Sequence, residues 1–279
     1  MLNIKRAQRQ IEYFLDEDIG MYDLTASIMI DEKATGRFDL NAREPMTIAG
    51  ITIARMVFEY YVPDVAVVTN VTDGDRVNQG AILMTVSGKA REILTVERNA
   101  LNLLQHMSGI ATLTSQYVDR IDGTGCQLLD TRKTTPGLRM LEKHAVVCGG
   151  GRNHRLSLDS GLMIKDNHIA VCGGLTAAIQ KAKANIPALT KVEVECDRLD
   201  QVKEALAAGA DMLMLDNMGP DMLREAVAIV GGKVPLEASG GINLDTIRPI
   251  AETGVDFVSV GRITQSAPAV DIGLDEATS

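Results

Sequence analysis

KVEVECDRLDQVKEALAAGADMLMLDN, residues 191–217, holds two short apolar runs on either side of one helix-period stretch. Val192–Val194 and Met212–Leu215 are too short for helices, and each runs into an acid, Glu195 or Asp216. Between them Leu199, Val202 and Leu206 recur at three and four residues, the spacing of one helix face. Strand, helix and strand in that order make a parallel pair with a crossover. The unit repeats outward in both directions. Cys126–Leu129 leads into Asp130-Thr131-Arg132-Lys133, and Leu162–Ile164 into Lys165-Asp166-Asn167-His168. Val234–Leu236 leads into Glu237-Ala238-Ser239-Gly240-Gly241, and Phe257–Val260 into Gly261, with Leu223, Ala226, Val227 and Val230 on a further helix face. About six or seven such units, each closing on polar residues, predict an α/β fold containing an incomplete (β/α) barrel. Barrel enzymes gather their chemistry at the C-terminal ends of the strands.

Upstream the pattern is mixed. Ile4, Ile11, Phe14 and Leu15 predict a helix over 3–18, stopped at Gly20, and alternation over 34–49 predicts strand. Ile51–Tyr61 reads as a helix ended by Pro63. Val65–Val71 and Ala81–Val86 read as strands, with turn chemistry at Asp73-Gly74 and Gln79-Gly80. Leu101, Leu104, Ile110, Leu113 and Tyr117 stripe a helix from about Thr95 to Ile121, in which Gly109 is a weak point. The pattern changes across residues 106–121 with no flexible linker. Two domains are expected, 1–108 and 109–264, meeting at a rigid interface, with the tail 265–279 able to pack back on the first.

The 279 residues are 46% hydrophobic and 23% charged, enough apolar material for a large core, and carry a formal net charge of −9. Nucleic acid and anionic membranes select basic surfaces, so both are excluded as expected partners. The N-terminal stretch interleaves charges with its apolar residues and lacks a signal-peptide core, and no window is long and apolar enough to span a bilayer. A cytoplasmic location is expected. Cysteines 126, 148, 172 and 196 form no C-x-x-C, which removes zinc-ribbon and thioredoxin readings. They read as small apolar residues, several on or beside successive barrel strands.

Residues 130–168 reverse the global charge. Arg132, Lys133, Arg139, Lys143, Arg152, Arg155 and Lys165 stand against Asp130, Glu142, Asp159 and Asp166, a net +3. A positive pocket inside an acidic protein concentrates small polyanions; the bland alternative is solvated helix and loop charge. Arg132 and Lys133 offer a planar fork and a point charge directly after a strand. His154-Arg155 follows Gly149-Gly150-Gly151, whose N–H groups can approach an anion. Lys165, ending a strand, reads either as a Schiff-base nucleophile or as an anion ligand, and the neighbouring cations favour the second. Glu195 and Asp216 can hold Mg²⁺ through oxygen or face a sugar-ring cation, the alternative for Asp216 being a helix cap. Ser239-Gly240-Gly241, with a helix beginning near Asn243, and Gly261 after the last strand suit a phosphate cradle. No Walker-type loop, G-x-G-x-x-G, H-E-x-x-H or G-x-S-x-G is present.

Asp130-Thr131-Arg132-Lys133-Thr134-Thr135-Pro136-Gly137 resembles the signature of the quinolinate phosphoribosyltransferase family, the carboxylating nicotinate-nucleotide pyrophosphorylases. Glu97-Arg98-Asn99-Ala100-Leu101-Asn102, Asn153-His154-Arg155, Lys165-Asp166-Asn167-His168, Leu215-Asp216-Asn217 and Ser266-Ala267-Pro268 resemble it in the same order, so the likeness spans nearly the whole chain. It implies an N-terminal α/β, sandwich-like domain beside the incomplete barrel. It also implies Mg²⁺-dependent transfer of phosphoribosyl from phosphoribosyl diphosphate to quinolinate with loss of CO₂. The products would be nicotinate mononucleotide and diphosphate, on the de novo route to NAD.

A homodimer or larger homo-oligomer with shared sites is implied as well. By family position, Arg132, His154, Arg155, Lys165 and, across the interface, Arg98 would hold the acid's two carboxylates. Thr131 and Lys133 would sit beside acid and diphosphate, Glu195 and Asp216 would face ribose and Mg²⁺, directly or through water, and Ser239, Gly240, Gly241 and Gly261 would cradle phosphate. Lys133, Glu195 and Asp216 are the expected catalytic residues. Arg98 alone reads as a surface residue opening a helix. The chain departs from the family at Tyr22, Arg262 and Gln265, the last two beside the expected cradle. A paralogue acting on a different acid, of the molybdenum-transport-associated type, is the alternative. His106 and His144 read as structural, without a clear partner.

Overall fold

The computed structural model describes residues 2–277. In chain order it opens with α1 (Ile4–Ile19), α2 (Leu24–Met29), β1 (Thr35–Ala42), β2 (Met46–Thr47), α3 (Ile51–Tyr61), β3 (Ala66–Thr69), β4 (Arg76–Val77) and β5 (Ile82–Lys89). There follow α4 (Ala90–Ile121), β6 (Gln127–Leu129), α5 (Arg139–Cys148), β7 (Leu162–Ile164), α6 (Asp166–Cys172), α7 (Leu175–Asn185), β8 (Val192–Cys196) and α8 (Leu199–Ala207). The chain continues with β9 (Met212–Asp216), α9 (Pro220–Val230), β10 (Leu236–Ser239), α10 (Ile247–Ala251), β11 (Phe257–Ser259), α11 (Arg262–Gln265) and β12 (Ile272–Glu276). Two compact units result. The first takes the chain up to Ser115, Thr135–Gly150 and the residues from Ser266 on; the second is Gln116–Thr134 with Gly151–Gln265. The units thus divide seven residues beyond the 108/109 boundary expected from the pattern change, and Thr135–Gly150 belongs to the first.

Local chemistry explains the first unit. Asn3 caps α1 by accepting the Arg6 N–H, and Ala7, Ile11 and Leu15, four residues apart, form its buried face. Asp23 caps α2 through the Ala26 N–H, a helix too short to show periodicity in the sequence. The antiparallel sheet runs β12-β1-β5-β3. Leu40 stands opposite Leu274 on one side and Met84 on the other, and a bulge follows at Leu40/Asn41. Gly109 is a close approach within α4 rather than a weak point: a Cβ there would lie 2.1 Å from the Pro268 carbonyl oxygen.

The second unit is a six-stranded parallel sheet in the order β6-β11-β10-β9-β8-β7, within the six or seven expected. Val194, Leu213, Leu215 and Val258 are fully buried along it, and its two outer strands do not pair with each other. Instead residues 151–153 run along the free edge of β6. Arg152 donates its N–H to the Leu128 carbonyl at 2.9 Å, and the Asp130 N–H donates to the Arg152 carbonyl at 3.1 Å. Two expectations shift. Strand β10 begins at Leu236 rather than Val234, so Glu237 lies inside the strand and is fully buried. The helix after the glycine turn begins at Ile247 rather than near Asn243, because the Asn243 side chain accepts the Asp245 and Thr246 N–H groups and holds a turn there. Only two of the four cysteines, 126 and 196, fall on or beside barrel strands; 148 and 172 end α5 and α6.

Candidate active site

Alternate residues of a strand face opposite sides, and this period of two builds the site. Lys165 stands two residues after Met163, Glu195 two after Glu193, Asp216 two after Met214 and Ser239 two after Glu237. Their inward members, with Asp130, Thr131, Arg132, Lys133, His154, Arg155 and Ser259, line one cavity of about 400 Å³ at the C-terminal ends of the strands. The cavity is made of second-unit residues alone. Nine of the residues expected from the sequence therefore meet in it. Gly240, Gly241 and Gly261 are not among its lining residues; Gly261 packs against one that is, Lys133, and Gly240 against Asn217. Arg98 is exposed on α4 in the first unit.

Each cation is positioned by local structure. Lys133 is exposed, but its backbone is fixed: its N–H donates to Thr131 Oγ1 at 3.0 Å and its carbonyl accepts the Thr264 hydroxyl at 2.7 Å. Its stem lies against Gly261, where a Cβ would come within 2.7 Å of the lysine Cδ. Arg132 carries a buried Nε that makes no hydrogen bond, an orphaned donor at the cavity wall. Burial, and then the neighbouring Arg132 charge, hold the Arg155 guanidinium below its ordinary value. Arg155 also donates to the Gly161 carbonyl at 3.1 Å, which orients it. Lys165 pairs with Glu195 across the neighbouring strand, and its N–H donates to His168 Nδ1 at 3.0 Å, which makes His168 a cap residue. Asp216 accepts from Asn217 Nδ2 at 2.6 Å, and α9 is capped by Gly219 without a side-chain bond, so Asp216 is no helix cap.

His154 lines the cavity and also reaches two acids behind it. Its Nε2 is 3.0 Å from Glu193 and 3.2 Å from Glu237, both carboxylates buried. Its Nδ1 accepts the Arg155 N–H at 2.7 Å, and its own N–H donates to Asp130 at 2.8 Å. Although burial opposes it, the two carboxylates push the histidine up to about 10. Burial and Glu193 in turn push the Glu237 carboxyl up, since two adjacent carboxylates do not both ionise readily. His154 is thus a half-buried residue of the cavity wall with both ring nitrogens engaged, one by the Arg155 backbone and the other by the two acids. The buried partners Asp130, Glu193 and Glu237 were not singled out from the sequence; the signal for Glu193 was the acid inside a run otherwise made of buried valines.

These residues fit a bound divalent cation in one respect. Glu195 and Asp216 are hard oxygen donors on adjacent strand tips of one cavity, the arrangement in which Mg²⁺ is shared between carboxylates and substrate phosphate.

The fold and the cavity can be set beside known proteins. The family models for the N-terminal and C-terminal domains of quinolinate phosphoribosyl transferase match residues 23–108 and 110–275. This chain belongs to the quinolinate phosphoribosyltransferase family. The nicotinate-nucleotide pyrophosphorylase [carboxylating] of Mycobacterium leprae is 41% identical, over 96% of this chain and 96% of the relative. The crystal structure of NadC from Streptococcus pyogenes superposes with a TM-score of 0.95 at 37% identity, covering 100% of this chain and 99% of that one. The nicotinate-nucleotide pyrophosphorylase from Ehrlichia chaffeensis gives 0.91 at 42%, covering 96% and 97%. Such agreement over both units shows the family fold complete, the N-terminal antiparallel sheet and the six-stranded parallel sheet alike. Among the described residues no helix is long and apolar enough to cross a membrane.

Proposed function

We propose that this family member transfers phosphoribosyl from phosphoribosyl diphosphate to the ring nitrogen of quinolinate, with decarboxylation, giving nicotinate mononucleotide, CO₂ and diphosphate. One observation carries the substrate assignment. Arg132 and Arg155 converge on the cavity, one with an orphaned buried donor and the other depressed by burial and then by its neighbour's charge. Two crowded guanidiniums are relieved by an acceptor with two negative arms, and quinolinate is such an acid.

The protein's work is placement. Arg132 and Arg155 would clamp the carboxylates, and Lys165, already paired to Glu195, would tie the acid end of the cavity to the ribose end. Glu195 and Asp216 would stabilise positive charge growing at the sugar carbon as its bond to diphosphate breaks. Lys133 would draw off the charge gathering on the leaving diphosphate, while Ser239 and the N–H groups of the following glycine turn would hold phosphate. Once the ring nitrogen carries the sugar it is cationic and accepts the electron pair left by the departing carboxylate. No covalent protein intermediate is required. Mg²⁺ held by Glu195 and Asp216, directly or through water, would supply charge neutralisation to the diphosphate. The same reading places the enzyme in a reducing compartment, the cytoplasm, in keeping with four free cysteines.

Loss of quinolinate absorbance in the presence of phosphoribosyl diphosphate and Mg²⁺, against other pyridine acids, tests the assignment. Turnover confined to another acid would transfer it to the paralogous activity. The reading extends to a homodimer with shared sites, because Arg98 is exposed on α4 and the cavity is built by the second unit alone. Mixing Arg98→Ala with Lys133→Ala subunits should then restore activity that neither has alone. No recovery after proven subunit exchange would refute the shared site.

A further inference from the structure

Outside the catalytic cavity, the first unit brings together three side chains of different donor type. Asp73 lies in the loop before β4, and His144 and Cys148 are one turn apart on α5. His144 Nε2 is 2.7 Å from Asp73 Oδ2 and 3.5 Å from Cys148 Sγ, and the three donor atoms all lie within 4.8 Å of one another. Both neighbours face the same ring nitrogen. A nucleophile–base–acid relay needs the histidine's two nitrogens to serve different partners, so the trio is not a hydrolytic triad. Convergence of oxygen, nitrogen and sulfur on one point is the arrangement of a metal centre.

We propose that Asp73, His144 and Cys148 form a binding site for a borderline-soft divalent cation, Zn²⁺ above all, with a fourth position open to water. Tetrahedral zinc with bonds of about 2.0–2.3 Å separates its donors by about 3.3–3.8 Å. The cysteine–histidine pair already stands in that range, and the aspartate–histidine pair needs to open by less than about 1 Å. Supporting contacts orient the ligands as outer-shell partners do. Asp73 Oδ1 accepts the Gly50 and Ile51 N–H groups at 2.8 and 2.9 Å, which leaves Oδ2 aimed at the histidine. Gly149, directly after Cys148, packs so closely that a Cβ would meet the Ala111 carbonyl at 2.4 Å, which fixes the end of α5.

Access is present too, since Asp73 borders a surface cavity of about 350 Å³ beside Ile51, Arg55 and Thr72. The histidine and aspartate side chains retain 20% and 16% exposure, room for a water ligand. Burial pushes the Cys148 thiol up to about 12, so the site without metal holds a thiol, and binding would release its proton to solvent as the thiolate–metal bond forms.

Cobalt(II) titration of the chelator-treated full-length protein tests this, because a thiolate ligand gives cobalt an intense near-ultraviolet charge-transfer band. The expected result is a band that saturates at one cobalt per chain and is abolished by Zn²⁺. Cys148→Ser should remove the band. His144→Gln and Asp73→Asn, the latter keeping an oxygen for the α3 cap, should weaken Zn²⁺ binding by more than the about 10–100-fold typical of an outer-shell loss. Cys172→Ser, a half-buried thiol elsewhere, should change neither. Should Cys148→Ser fail to fold, the His144→Gln and Asp73→Asn affinities decide. No band in the wild type, a band surviving Cys148→Ser, or saturation only at several cobalt ions per chain would each overturn the site.

Discussion

Replacing Arg132 by methionine should strengthen the fold while disabling the site. Arg132 Nε is buried without a hydrogen bond, and the neighbouring Arg155 guanidinium is depressed by burial and by the Arg132 charge. An unmade hydrogen bond on a buried polar group costs about 1–3 kcal/mol. Methionine, flexible and of similar length, removes that cost and the cation–cation repulsion with little change in packing. The side chain is only partly buried, so the lower end applies, and urea unfolding should gain about 1 kcal/mol. Binding should move the other way. A guanidinium that closes two charge-assisted bonds on a carboxylate contributes about 1.5–3 kcal/mol for each. Their loss weakens quinolinate binding by about 10²–10⁴-fold at 1.4 kcal/mol per decade. Calorimetric titration with quinolinate and urea unfolding on the same preparations read both effects. Arg132→Lys, which keeps the charge without the fork, should fall between. A methionine variant that unfolds at lower urea and still binds quinolinate as the wild type does would show that Arg132 is a structural cation.

Three further outcomes are expected. The Glu193–Glu237 pair raises His154 from 6.5 to about 10 in the folded state, so its stabilisation is complete below about 6.5 and is lost as pH rises through about 10. Unfolding free energy should fall across that window, and Glu237→Gln, which leaves one carboxylate facing Nε2, should flatten the fall; an unchanged slope would refute the cluster's role. Gly240→Ala should cost about 2–4 kcal/mol by urea unfolding, since φ is +97° and the new Cβ would meet Asn217 Oδ1 at 2.2 Å and its backbone nitrogen at 2.9 Å. Lys133→Ala should unfold within about 0.5 kcal/mol of wild type, as exposed substitutions do, and lose most turnover; wild-type turnover would remove it from the catalytic set.

The barrel was legible because its strands end in chemistry. Arg132, Lys133, Lys165, Glu195 and Asp216 each follow an apolar run, and a parallel strand presents its terminal side chains at the mouth of the barrel. What lies beneath the mouth was harder to read. Glu193 and Glu237 look like solvent-facing positions of an alternating strand, yet in a barrel the alternate face points into the interior, and the histidine that faces both, His154, stands some forty residues before one and eighty before the other. Strand β10 was displaced by two residues for the same reason, since a buried acid looks like the end of an apolar run. His106 and His144 read as partnerless because Glu142 and Asp73 reach them across 36 and 71 residues. Strand β12 has too few apolar residues to announce itself, and Gly109 shows its purpose only once Pro268 lies over it.

The separation between β1 and β12 has a kinetic side. Leu40 pairs with Leu274, whereas barrel neighbours such as Val194 and Leu213 meet across a single helix. During synthesis β1 must wait, one flank unpaired, while all six barrel strands emerge. Pairings between distant residues form slowly because the loop between them is costly to close. The parallel sheet can therefore assemble on the ribosome ahead of the sheet that precedes it in the chain, and in that interval the waiting flank of β1 is where a nascent copy would first stick to its neighbour.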